Sequence, residues 1–238
     1  MVVIAIVGIL LTVATLGMRA VRERARITKS MANLRTHVQV FSTYTNENHN
    51  YFPRFTTPGS FNNNIEGGGL HLYGRQYFDS CSTWHIALTD GYYEGRADSD
   101  VFFPDQYAEQ GGYWPYATPY LYPCVFIAHP RYWNVYTRIG PEQLTATQTD
   151  WVQYPSEKAL IVQTWPFIKD VQTVNDMYDS YLYVGFWDGA ARKLSAYQRS
   201  NGYPRGDGLP WDHVGAVHYT DWPPLLHTTD GVRGRDTR

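Results

Sequence analysis

The chain has 238 residues, enough for one large domain or two small ones. A net charge of -2 and a pI near 6.4 set up no overall field that would draw in nucleic acid. Two cysteines with no CxxC spacing exclude the usual tetrahedral zinc framework.

Residues 1–18 carry no charge, and only Gly8, Thr12, Thr15 and Gly17 interrupt the apolar run. As a helix this run would be roughly 27 Å long, at the short edge of a bilayer's hydrocarbon core. It lacks the basic start of a secretory signal and leads straight into more helix, so it reads as retained. Its large apolar side chains, Met1, Val2, Val3, Ile4, Ile6, Val7, Ile9, Leu10, Leu11, Val13 and Leu16, are the candidate membrane and filament-core residues. Arg19, Arg22, Arg24, Arg26 and Lys29 follow, opposed by Glu23, and need acidic or lipid partners. The positive-inside tendency by itself would put this flank on the cytoplasmic side.

Ile27, Met31, Leu34, Val38 and Phe41 then recur at spacings of four and three, an apolar stripe on one helix face. Arg26 precedes them, and Lys29, Asn33, Arg35, His37 and Gln39 lie between them. The stripe is the candidate packing surface for the rest of the chain. It lasts about two heptads, short of the three or four that mark a coiled coil. No proline precedes Pro53, so one helix is expected from the start to about Tyr44–Asn48, where Asn46, Asn48 and Asn50 signal a stop. The expected division is a helix over 1–50 and a β-rich globular domain over 51–238.

Residues 46–69, rich in Asn and Gly, read as a connection. Gly67–Gly69 is followed by no Gly-Lys-Ser/Thr, so it is no phosphate loop. Residues 84–90 read as a short helical turn; 100–104 and 122–130 read as strand-like. Residues 158–165 form a strand, and 180–189 pair with 191–197 as a hairpin about Asp188-Gly189. The tail from Gly202 reads as an ordered loop or interface arm. Cys81 and Cys124 are a candidate disulfide if the domain lies outside the cytoplasm; two buried thiols are the other reading.

Catalytic patterns are missing: no HExxH, no G-x-S-x-G, and eight histidines that read as scattered and polar or half-buried. Cys81 or Ser82 near His85 is a weak nucleophile–base pairing, because sequence neighbours rarely form that geometry. Asp98 with Asp100, and Asp176 with Asp179, could offer oxygens to calcium but lack the EF-hand pattern, and read as solvated loop carboxylates. Aromatic residues make up 16% of the chain, with 20 Tyr and 8 Trp. Such side chains serve subunit packing better than a sugar platform here, since they join a large contact area to a polar tip.

The opening, MVVIAIVGILLTVATLGMRAVRERARITKSMANL, resembles the start of type IV pilins and of the pseudopilins of type II secretion. In that family a basic leader ending in Gly is removed, and an aromatic residue and a Glu precede an apolar run like Met1–Leu10. Those upstream features are not in this sequence, which is expected to start just beyond them. Leu16 stands near where many pilins carry a helix-loosening proline. A second resemblance, to large pilin-like proteins, rests on Val101-Phe102-Phe103-Pro104, Pro155-Ser156-Glu157-Lys158-Ala159-Leu160-Ile161 and Phe186-Trp187-Asp188-Gly189-Ala190-Ala191, in that order. That pattern has Cys where Phe103 stands and His where Ala190 stands.

The resemblance implies an α+β fold, a long helix packed on an antiparallel sheet with long loops. It implies a non-enzymatic structural subunit, stored in the inner membrane with its C-terminal part outside. Assembly machinery then builds it into a helical homo-oligomeric filament at the cell surface. No cofactor beyond a calcium ion and no nucleic acid partner are expected. The alternatives are a signal-anchored periplasmic binding protein or enzyme, and a minor pseudopilin that primes or caps a secretion machine.

Overall fold

A computed structural model describes residues 2–59, 62–103, 118–163, 181–200, 213–214, 217–218 and 225–237. For residues 2–17, 19, 196, 213–214 and 217–218 it describes the backbone alone. The fold is α+β, a long N-terminal helix packed on antiparallel sheet. Helix α1 spans Val2–Glu47. It stops where His49 and Asn50 take left-handed backbone angles (φ 55° and 65°) and Asn48 donates its side-chain amide to the Tyr44 carbonyl at 2.8 Å. The chain then turns into the domain: Phe52 N–H donates to Thr147 O at 2.9 Å and Tyr51 bridges Gln148.

Residues 46–69 hold more than a connection. Strands β1 (Asn63–Gly67) and β2 (Leu70–Arg75) form an antiparallel hairpin. Its two-residue turn, Gly68-Gly69, has φ of 56° and 76°, the positive angles that a type I′ turn demands of both central residues. Helix α2 covers Ser80–Tyr92, longer at both ends than the turn expected at 84–90.

The main sheet has the order β3 (Tyr120–Leu121), β4 (Ala159–Gln163), β5 (Leu182–Phe186), β6 (Ala191–Leu194), antiparallel throughout. The β5–β6 hairpin turns at Asp188-Gly189, where Gly189 has φ 89° and the Asp188 carboxylate accepts from Ala190 N–H at 2.9 Å. β7 (His213–Val214) and β8 (Val217–His218) form a small separate ladder. Two segments expected to be strand-like are not strands. Residues 101–103 form turns, and Cys124–Ile127 is a 3-10 turn between Pro123 and Pro130. Prolines cannot donate to a ladder, so that apolar run is buried as tight turns.

Strands β4 and β5 are buried along their whole length. α1 lies across β4, β5 and β6. A close approach there requires Gly185: a Cβ at that position would stand 2.9 Å from Val38 Cγ2 and 3.3 Å from Leu34 O. The core is aromatic, with Phe41, Phe52, Trp84, Phe102, Tyr120, Tyr122, Phe126 and Trp133 all but inaccessible.

Candidate functional site

The surface of interest is α1, which carries the sequence-predicted packing stripe. On the domain side Leu34, Val38 and Phe41 lie in the core, and Ile27 and Met31 pack on its edge half-buried. Beside this stripe runs a buried polar row that the periodicity did not distinguish from solvent-facing positions. The Ser30 hydroxyl contacts Gln163 Oε1 and the Tyr120 hydroxyl. Asn33 Nδ2 donates to the Tyr120 hydroxyl and to Asp100 O, both at 3.4 Å.

His37 is fully buried, as is His85, against the expectation of polar or half-buried histidines. His37 sits in a cage of Trp84, Tyr93, Phe102 and Tyr120, with ring centroids 4.9–5.8 Å away. Its Nε2 lies 3.0 Å from Val101 O, which can only accept, so Nε2 carries the proton. Its Nδ1 therefore accepts from the Tyr93 hydroxyl at 2.9 Å. Burial pushes the imidazole down to about pH 3, the Val101 carbonyl opposes this, and His85 adds to it. The ring is thus a neutral bolt between α1 and the loop after α2. A histidine at one step from an apolar stripe was the only sequence signal for it.

The candidate cysteines are brought together. Tyr122 N–H donates to Cys81 O at 2.8 Å, which holds the 122–124 segment along α2. Cys81 Sγ and Cys124 Sγ stand 2.8 Å apart in the core. Burial first, then the neighbouring Cys124 and Asp79, raise the Cys81 thiol well above its ordinary range.

A second buried polar centre went unread in the sequence. Lys158 and Asp236 are both inaccessible, with Nζ and Oδ2 3.2 Å apart. Lys158 Nζ also donates to Gly231 O at 2.9 Å. Asp236 accepts from Ala159 N–H at 2.8 Å and from the Thr228 hydroxyl. Burial biases both groups toward neutrality, the lysine downward and the carboxyl upward, and their pairing opposes this in each. The centre ties the C-terminal segment 225–237 to the start of β4.

Of the remaining candidates, Met1 lies outside the described residues. Val2, Val3, Ile4, Ile6, Val7, Ile9, Leu10, Leu11, Val13 and Leu16 have helical backbone and no described side chain. Among the residues whose side chains are described, no helix is long and apolar enough to cross a membrane; the run 2–17 is outside that set. Asp98 pairs with Arg96 at 3.3 Å and Asp100 with Lys29 at 3.7 Å, while Asp176 and Asp179 lie outside the described residues. No group of three metal-ligating side chains occurs among the described residues.

No protein-family model, no curated protein and no solved structure matches the chain. The firm statement of kind is therefore architectural: an N-terminal helix packed on a small antiparallel sheet, compatible with a pilin-like chain and not specific to one.

Proposed function

We propose that the chain is a structural subunit of an extracellular filament of the type IV pilus or pseudopilus kind, assembled helically through α1. One observation carries the reading: the division of labour along that helix. From Ile27 onward its inner face is sheathed by the chain's own domain. The 18 residues before Arg19 hold no charge, and the same helix runs back from Ile27 to Val2. In this reading such an apolar rod is sheltered by lipid before assembly and by sister rods afterwards. In this reading the subunit waits in the inner membrane, its C-terminal part outside, until a pilus or secretion machine takes it up. The role is mechanical, with no catalytic residue, cofactor or nucleic acid assigned to it.

Deleting residues 1–18 tests this. The truncated chain is expected to be a soluble monomer that forms no fibres, while the full chain, purified from membranes, gives regular fibres in electron micrographs. A full chain that stays monomeric under all assembly conditions would favour a membrane-anchored periplasmic binding protein or enzyme and overturn the filament.

A further inference from the structure

Replacing a buried ion pair by well-packed apolar side chains is often neutral or stabilising, so stability alone does not account for Lys158 and Asp236. Both side chains are inaccessible, and Lys158 Nζ stands 3.2 Å from Asp236 Oδ2. The carboxyl carbon Cγ lies one bond further on. Each partner is held in place. Nζ donates to Gly231 O at 2.9 Å, and the Lys158 carbonyl accepts from Trp187 N–H at 3.0 Å. Asp236 N–H donates to Glu157 O at 3.1 Å, the Asp236 carbonyl accepts from Ser200 N–H at 2.8 Å, and Thr237 bridges Arg199 beside it. Both carboxyl oxygens sit on donors, Oδ2 on Ala159 N–H and Oδ1 on the Thr228 hydroxyl.

An amine and a carboxyl group are thus fixed in contact inside the fold. In water the same groups are an ammonium and a carboxylate, which do not react with each other. Burial drives both toward the neutral forms that do, the lysine downward and the carboxyl upward, against their mutual attraction. One proton moved from Nζ to Oδ2 gives the neutral pair. Reactive groups held this way reach effective molarities of roughly 10⁵–10⁸ M. A site closed to solvent also protects the product from hydrolysis.

We propose that Lys158 and Asp236 condense after folding into an intramolecular amide, a covalent tie between the start of β4 and the C-terminal segment. No co-reactant is needed. The Nζ lone pair bonds to Cγ, and the carbonyl electrons move onto Oδ1, where the Thr228 hydroxyl donates to the developing charge. A second Nζ proton passes to Oδ2, the Cγ–Oδ2 bond breaks, and Oδ2 leaves as water beside Ala159 N–H. The Oδ1 carbonyl re-forms, and the one proton left on Nζ keeps its place on Gly231 O. The freshly folded chain carries the ion pair, and the amide replaces it with time. The bond needs only the folded domain and does not depend on filament assembly.

Mass spectrometry of the full chain tests this. The chain is aged folded in mild detergent, then denatured and reduced so that the cysteines do not contribute. It is expected to be lighter than its sequence mass by one water, while a portion kept in urea from synthesis onward retains the full mass. Trypsin should fail to cut after Lys158 and should leave Asp236-Thr237-Arg238 attached to that side chain as a branched peptide. Lys158→Arg should keep the full mass. A water loss that persists in Lys158→Arg belongs to dehydration elsewhere in the chain and overturns the bond. So does an aged wild-type chain, folded by the fluorescence of its buried tryptophans, that releases Asp236-Thr237-Arg238 as a free peptide; the two groups are then an ion pair only. Fibres of a chain without the amide remove this bond and leave the filament standing. The amide in a chain that never forms fibres keeps the bond and removes the filament.

Discussion

His37 makes the docking of α1 sensitive to acid, and the size of the effect follows from its surroundings. The imidazole must stay neutral, because Nε2 donates to Val101 O and Nδ1 accepts from the Tyr93 hydroxyl. A proton on Nδ1 would face the Tyr93 hydroxyl inside an aromatic cage with no carboxylate contact among the described residues. Its pKa falls from 6.5 to about 3 on folding. A lowered histidine contributes stability that is full above the unfolded value and is lost as pH falls from 6.5 toward about 3. The ceiling is about 5 kcal/mol, at 1.36 kcal/mol per pKa unit. Between neutral pH and pH 5 the expected loss is about 2 kcal/mol. Urea unfolding of the full chain in mild detergent, followed by the fluorescence of the buried tryptophans, measures it. The comparison is with His37→Phe, which keeps ring volume and loses the proton site. That variant is less stable at neutral pH, since Val101 O and the Tyr93 hydroxyl lose their partner, and the gap to wild type should narrow by about 2 kcal/mol at pH 5. A gap that stays constant with pH, or an NMR titration that places His37 near 6.5, refutes the reasoning.

Three further outcomes are expected. Gly185→Ala should cost about 1–3 kcal/mol, read as a lower melting temperature, because the new methyl meets Val38 and the Leu34 carbonyl. Lys158→Met leaves Asp236 buried without its cation and should cost about 3–5 kcal/mol. Adding Asp236→Asn, which keeps an acceptor for Ala159 N–H, should recover about 2 kcal/mol of that in a double-mutant cycle. Chain recovered from an oxidising compartment and denatured should take up iodoacetamide only after reduction, through a Cys81–Cys124 bond; Cys81→Ser should make Cys124 reactive without reduction.

The parts of the fold set by local pattern were legible in the sequence. The stripe from Ile27 to Phe41 gave the helix and its inward face, and Asp188-Gly189 between alternating residues gave the β5–β6 hairpin. What escaped depends on distant partners. Ser30, Asn33 and His37 look solvent-facing by type, and Gln163, Tyr120, Asp100, Tyr93 and Val101 make their burial tolerable. β1 was hidden because Asn and Gly dominate its neighbourhood, although the glycine pair that suggested a loop is what a tight hairpin turn requires. The run Cys124–Ile127 has a strand's composition, but its flanking prolines make it a turn. Lys158 and Asp236 could not be matched from sequence, since nothing local marks a lysine that will be buried.

That pair also sets a timetable for synthesis. Ala159 takes its carboxylate acceptor from a residue 77 positions later. While the ribosome is still extending the chain, the start of β4 has neither the counterion for its lysine nor the acceptor for its amide. The helix and the first hairpin can form as they emerge, whereas the central strand stays unfinished until residue 236 arrives. A nascent chain cut short anywhere in that interval holds an uncompensated cation where the sheet should close, which exposes it to proteases.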